Sequence, residues 1–145
     1  MSALIGATLA LGIGLGAAWL GFDRDRAFYP TVVLVVGSYY ILFAVMGGSS
    51  QTVLTECLVF VPFLIASVGG FKKTPWLAVA GLAAHGALDA FHPHLVSNPG
   101  VPVWWPGFCL AYDVVAAGVL AASLMHARAA RVTTQPSGAP SGART

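Results

Sequence analysis

Long apolar runs separated by short polar breaks dominate the chain. Five runs stand out, over residues 3–22, 31–48, 52–70, 76–91 and 106–125. A helix needs about 20 apolar residues, in a range of roughly 17–25, to cross the hydrocarbon of a bilayer. The fourth run is the shortest and carries Gly81, His85, Gly86 and Asp89. The breaks are the charged patch Asp23-Arg24-Asp25-Arg26, the polar turn Ser49-Ser50-Gln51, the stretch Lys72-Lys73-Thr74-Pro75, and Pro99-Gly100-Val101-Pro102 before the fifth run. Pro30 suits the start of the second run, where a missing N–H has no partner to lose. No internal repeat stands out. The pattern predicts an all-α integral membrane bundle of five transmembrane helices. From His126 onward Arg, Thr, Ser, Pro and Gly take over, and 126–145 are expected to form a disordered cytoplasmic tail.

Composition agrees. Of 145 residues 57% are hydrophobic and 8% charged, with a mean hydropathy of +0.80. An ordinary soluble domain has roughly 25% charged residues, and a chain this short needs polar groups to cover its large surface. A soluble enzyme and a disordered linker are thereby excluded. A net charge of +2 with no basic stripe argues against a nucleic-acid partner. Cys57 and Cys109 are too few for a disulfide framework. The expected surroundings are the lipids of the cell membrane, alone or within a homo-oligomer or larger membrane complex.

Lys and Arg gather on the cytoplasmic side of short loops. With the N-terminus outside and the C-terminus in the cytoplasm, Arg24, Arg26, Lys72, Lys73, Arg128, Arg131 and Arg144 all fall inside, which is every base in the chain. The first run is read as a retained helix and not a signal peptide, since no basic residue precedes it. Trp19, Tyr29 and Trp76 then mark the inner interface, and Trp104 and Trp105 the outer one. Asp23, Arg24, Asp25 and Arg26 form a self-compensating anchor at the cytoplasmic interface, or a site for lipid head groups or a partner protein. Gly12 and Gly16, beside the line of Gly6, Ala10 and Gly14, offer a small-residue face for helix packing or dimerisation.

The remaining acids carry the chemistry. Glu56, Asp89 and Asp113 lie in or at the edge of the third, fourth and fifth runs. At about 1.5 Å per residue, Glu56 lies roughly 6 Å, His85 9 Å and Asp113 10 Å below the outer helix ends. His85, Asp89 and His92 follow the i, i+4, i+7 rule and share a helix face. Pro93 is expected to fray the helix at His92 and leave His94 on the loop. A buried carboxylate must be paired or neutralised, and no Lys or Arg is available on this side. Protonation, imidazolium or a bound cation can each do this. Imidazole with carboxylate suits zinc, iron or manganese. His85, Asp89, His92, Glu56 and Asp113 are therefore the candidate ligands of a divalent metal. His94, Tyr40, Tyr112, Asn98 and Cys109 are the candidate supporting groups, Cys109 sharing a face with Asp113 at i, i+4. The plainer reading is that each polar residue only hydrogen-bonds a neighbouring helix. The spacing matches no H-E-x-x-H pattern.

Certain motifs also carry a resemblance. Gly21-Phe22-Asp23-Arg24-Asp25-Arg26 with Phe28-Tyr29-Pro30-Thr31, Ser38-Tyr39-Tyr40, His85-Gly86, Asn98-Pro99-Gly100-Val101-Pro102 with Trp104-Trp105-Pro106, and Ala111-Tyr112-Asp113 resemble a family of small bacterial multi-pass membrane proteins. The resemblance implies a membrane fold and supplies neither a substrate nor a catalytic residue. Three functions stay open: a metal site acting on a lipid-like substrate, a proton or cation relay, and a non-catalytic accessory subunit of a membrane complex.

Overall fold

The computed structural model describes residues 1–133. It contains α1 (Ser2–Leu20), a 3-10 turn (Phe22–Arg24), α2 (Phe28–Gly47), α3 (Ser50–Lys72), α4 (Trp76–Leu95) and α5 (Trp105–Thr133). All five helices match the five apolar runs. The ends differ for local reasons. Gly21 takes a left-handed conformation, φ 80°, and stops α1 at Leu20. Asp25 accepts the Ala27 N–H at 3.0 Å, so α2 begins at Phe28 and carries Pro30 in its first turn, where no helical N–H is lost. Ser49 caps α3 by accepting the Thr52 N–H at 3.2 Å.

Two expectations are corrected. α4 runs through Pro93 to Leu95, its last turn closed by Val96 N–H donating to the His92 carbonyl at 3.0 Å. His92 therefore stays on the face of His85 and Asp89, and His94 is helical and exposed. The segment expected to be disordered from His126 is helical to Thr133, because its Ala and Arg residues favour helix. Residues 134–145 of that expected tail lie outside the described residues.

α1, α2, α3 and α5 are each long and apolar enough to cross a membrane. α4 is as long as α2 but carries three histidines and an aspartate. Its polar face is turned inward: Ala78, Leu82, His85, Asp89 and His92 are all buried. The apolar faces of α1 and α3 turn outward instead, with only 22% of each apolar window buried, the inverse of a water-soluble bundle.

Round the bundle the order is α1, α5, α4, α3, α2, with α2 also touching α4. α1 packs on α5 through Gly6, Ala10, Gly14 and Ala17, while a side chain at Gly12 or Gly16 would meet open space. One end of the bundle carries the α2–α3 and α4–α5 connections and is called the upper end here. The lower end carries Arg24, Arg26, Arg128 and Arg131 around one cavity, with the Arg26 guanidinium donating to the Lys73 carbonyl at 3.1 Å.

The upper loop docks through bare backbone. A Cβ on Gly100 would fall on the Phe43 carbonyl oxygen, and one on Gly47 would lie 2.8 Å from Gly100 Cα. Gly100→Ala is accordingly expected to cost about 1–3 kcal/mol, as overpacking does, read as a lower unfolding temperature in detergent. Gly12→Ala, facing open space, should leave that temperature unchanged or raise it.

Candidate metal centre

The buried stripe of α4 sets the site. His85, Asp89 and His92 are 0%, 1% and 1% exposed, and each meets a partner from another helix. Gly86 lets α5 approach, since a Cβ there would sit 3.4 Å from Asp113 Cβ and 3.4 Å from the Leu110 carbonyl oxygen. α5 contributes Cys109 and Asp113, one helical turn apart on its buried face.

His85 Nδ1 lies 2.6 Å from Asp113 Oδ2 and 3.5 Å from Asp89 Oδ2. The Cys109 thiol points at Asp113 Oδ2 at 3.7 Å and lies 4.0 Å from His85 Nδ1. One ligand atom each from His85, Asp89, Cys109 and Asp113 all fall within 4.8 Å of one another. The Tyr40 hydroxyl donates to Asp89 Oδ1 at 2.6 Å, and Phe63 stands edge-on to the His85 ring, centroids 5.0 Å apart. The surroundings thus fix both carboxylate and imidazole.

The polar accounting is incomplete. Asp89 Oδ2, Asp113 Oδ1 and His85 Nε2 are buried without a hydrogen-bond partner. Buried polar atoms are nearly always paired, and leaving one unpaired costs about 1–3 kcal/mol. Two orphaned carboxylate oxygens beside a thiol and an imidazole form a donor set short of a cation. Zinc takes N, S and O ligands at about 2.0–2.3 Å, which sets tetrahedral ligand atoms about 3.3–3.8 Å apart. The cluster is near that scale. Its shortest edge, His85 to Asp113 at 2.6 Å, must open, and the proton shared there must leave.

A second group adjoins the first. His92 Nε2 sits 2.9 and 3.2 Å from the two oxygens of Glu56, which is 1% exposed. Asn98 donates to Glu56 Oε1 at 2.8 Å and to the Tyr40 carbonyl at 3.0 Å, while accepting from Gly100 N–H at 3.3 Å. Tyr40 stacks flat on His92, centroids 3.7 Å apart and 14° between planes. Tyr40 therefore joins the two groups. A cavity of about 330 Å³ at the upper end reaches His92 and Asn98.

The five candidate ligands are thus brought together as two neighbouring groups. His85, Asp89 and Asp113 cluster with Cys109, whereas His92 and Glu56 pair with each other. Cys109, expected only as a supporting group, lies among the possible ligands. Tyr40 and Asn98 hold the carboxylates. Tyr112 stacks on Phe108, centroids 6.4 Å apart, and faces a groove, and His94 is exposed away from the cluster. The sequence reading missed Phe63, and gave Gly86, noted directly after His85, no part in the site.

That groove runs between α1 and α2 with α5 as its floor, encloses about 640 Å³, and is lined by apolar side chains together with Asp25, Thr31, Tyr39, Tyr112 and Cys109. Cys109 therefore belongs to both groove and cluster. Compared with known proteins, the chain matches no family model, no curated protein and no solved structure.

Proposed function

We propose that the protein crosses the membrane five times, N-terminus outside, and binds a divalent metal in the outer half of the bilayer through His85, Asp89, Cys109 and Asp113. The observation that carries this reading is the four-residue cluster with ligand atoms within 4.8 Å and two unpartnered carboxylate oxygens. Charge supports it. Arg24, Arg26, Lys72, Lys73, Arg128 and Arg131 belong to the lower-end linkers, the end of α3 and the far end of α5, so no Lys or Arg among the described residues offsets the acids. Zinc is the preferred ion, because a thiolate beside imidazole and carboxylate disfavours manganese. α4 counts as a crossing because its polar face is covered by its neighbours, as ionisable groups inside membranes require.

The apolar groove, which passes Cys109 between Phe22 and Trp105, supports a lipid-like ligand beside the cluster. Cobalt(II) titration of the detergent-purified protein tests the ligand set. A thiolate-to-metal absorption band should form in the wild type and vanish in Cys109→Ser, and a wild type with no such band contradicts the thiolate ligand.

A relay is the second reading, favoured by the contact of Tyr40 with both groups. It predicts proton flux into liposomes that Glu56→Gln abolishes. Against it, no buried carboxylate or imidazole among the described residues continues the path toward the lower end, where Ser67, donating to the Pro30 carbonyl at 2.8 Å, and Tyr29 are the buried hydroxyls. An accessory-subunit role predicts site substitutions that alter stability alone. Orientation has its own test. In a chain whose cysteines are replaced by alanine, Ser97→Cys should react with an impermeant maleimide on intact cells, and labelling only after lysis reverses the topology.

A further inference from the structure

The lower end holds a second polar cavity, of about 750 Å³, far from the candidate metal ligands. Arg24 and Arg26 from the linker and Arg128 and Arg131 from α5 line it, with Asp23 and Asp25 between them. Four guanidinium groups against two carboxylates leave it positive. Asp25 already accepts from Ala27 N–H at 3.0 Å, which directs one of its oxygens away from any ligand. The N-terminal ends of α2 and α4 also border the cavity, through Tyr29 and Pro30 and through Thr74, Pro75 and Trp76, where the positive ends of the helix dipoles favour an anion.

An independent observation points to a ligand. Tyr29 lines this cavity, is 5% exposed, and its hydroxyl has no hydrogen-bond partner. A buried donor bordering the same cavity as the arginines lacks an acceptor, and phosphate oxygens accept from hydroxyl and guanidinium alike.

The groove continues from this cavity. Asp25 borders both spaces. On α5, Cys109 and Tyr112 floor the groove, while Leu120, Leu124 and Ala127 floor the basic cavity. These positions share one helical face. The α2 wall of the groove extends from Phe28 to Tyr39, a rise of about 17 Å. Half of a bilayer's hydrocarbon is about 15 Å, so the groove matches one acyl chain of one leaflet.

We propose that the basic cavity binds the phosphate of an anionic phospholipid whose acyl chain lies in the groove between α1 and α2. This site requires the lower end to face the membrane surface and does not depend on metal at the upper end. It gives the chain a fixed lipid on its base-rich side. The phosphate chemistry is shared with free inorganic phosphate, and the lipid is favoured by the apolar groove that adjoins it.

Native mass spectrometry of the full chain, with phosphatidylglycerol or phosphatidylcholine added in detergent, tests the site. Phosphatidylglycerol should be retained about tenfold more strongly, a preference of the size expected from Arg contacts to anionic lipid. Arg24→Gln with Arg128→Gln should remove the preference. Tyr29→Phe should weaken retention without lowering the unfolding temperature, because it deletes a hydroxyl that has no protein partner. Val35→Trp, at a groove position 46% exposed, should weaken retention by filling the chain's place. Equal retention of the two lipids, or indifference to the arginine substitutions, overturns the proposal. Displacement of phosphatidylglycerol by millimolar inorganic phosphate, with Val35→Trp without effect, also overturns it and leaves a free-phosphate site. Zinc content measured on the same samples reports the metal reading separately, so the failure of one is distinguishable from failure of the other.

Discussion

Asp113→Asn is expected to lower zinc affinity by about 100-fold or more while leaving the bundle folded. Altering groups that merely support metal ligands already costs about 10–100-fold in affinity, and Asp113 sits at the centre of the cluster. Its Oδ2 lies 2.6 Å from His85 Nδ1 and 3.7 Å from Cys109 Sγ. The amide keeps the carboxylate's shape and can still accept a hydrogen bond, but it carries no charge to oppose a dication. Zinc competition against a chromophoric chelator reads the change. An affinity within threefold of wild type, with the fold intact, removes Asp113 from the ligand set.

Glu56→Ala is expected to cause the largest loss of stability, about 3–5 kcal/mol, because it leaves two buried donors unpaired at about 1–3 kcal/mol each and opens a cavity. The carboxylate accepts from His92 at 2.9 Å and from Asn98 at 2.8 Å while only 1% exposed. Removing it strands the imidazole and the amide together and opens a cavity beneath the upper loop. Glu56→Gln keeps the volume and one acceptor, and should cost about 1–3 kcal/mol. Unfolding in graded detergent denaturant measures both. The ranking separates the two groups of the upper end: Glu56→Gln should leave zinc affinity nearly unchanged, whereas Asp113→Asn should not. Equal loss of zinc affinity in both would make one site of the two groups.

The apolar runs made the five helices legible, because long apolar stretches leave a strong, uninterrupted signal. The i, i+4, i+7 spacing placed His85, Asp89 and His92 on one face, and the face is buried as that spacing implies. Pairing across helices was not legible. Nothing local distinguishes Asp113 from Glu56 as the partner of His85, and the division into two groups depends on how α3 and α5 pack on opposite sides of α4. Cys109 carried an ambiguous signal. Its i, i+4 relation to Asp113 was plain, yet a thiol in a membrane helix is equally a small apolar filler. Pro93 misled because it lies so near the end of α4 that only one helical bond, to the Asp89 carbonyl, is lost, and Val96 N–H still closes the last turn on His92. Of the two lines of small residues read on α1, Gly6, Ala10 and Gly14 turn inward with Ala17, and the Gly12–Gly16 pair looks outward.

Metal content of the full-length protein, purified without chelator from cells supplied with zinc, iron and manganese, bears most directly on the central claim. The cluster of His85, Asp89, Cys109 and Asp113 predicts one zinc ion per chain in the wild type and loss of that zinc in Asp113→Asn. A folded wild type carrying no stoichiometric metal under these conditions would contradict it.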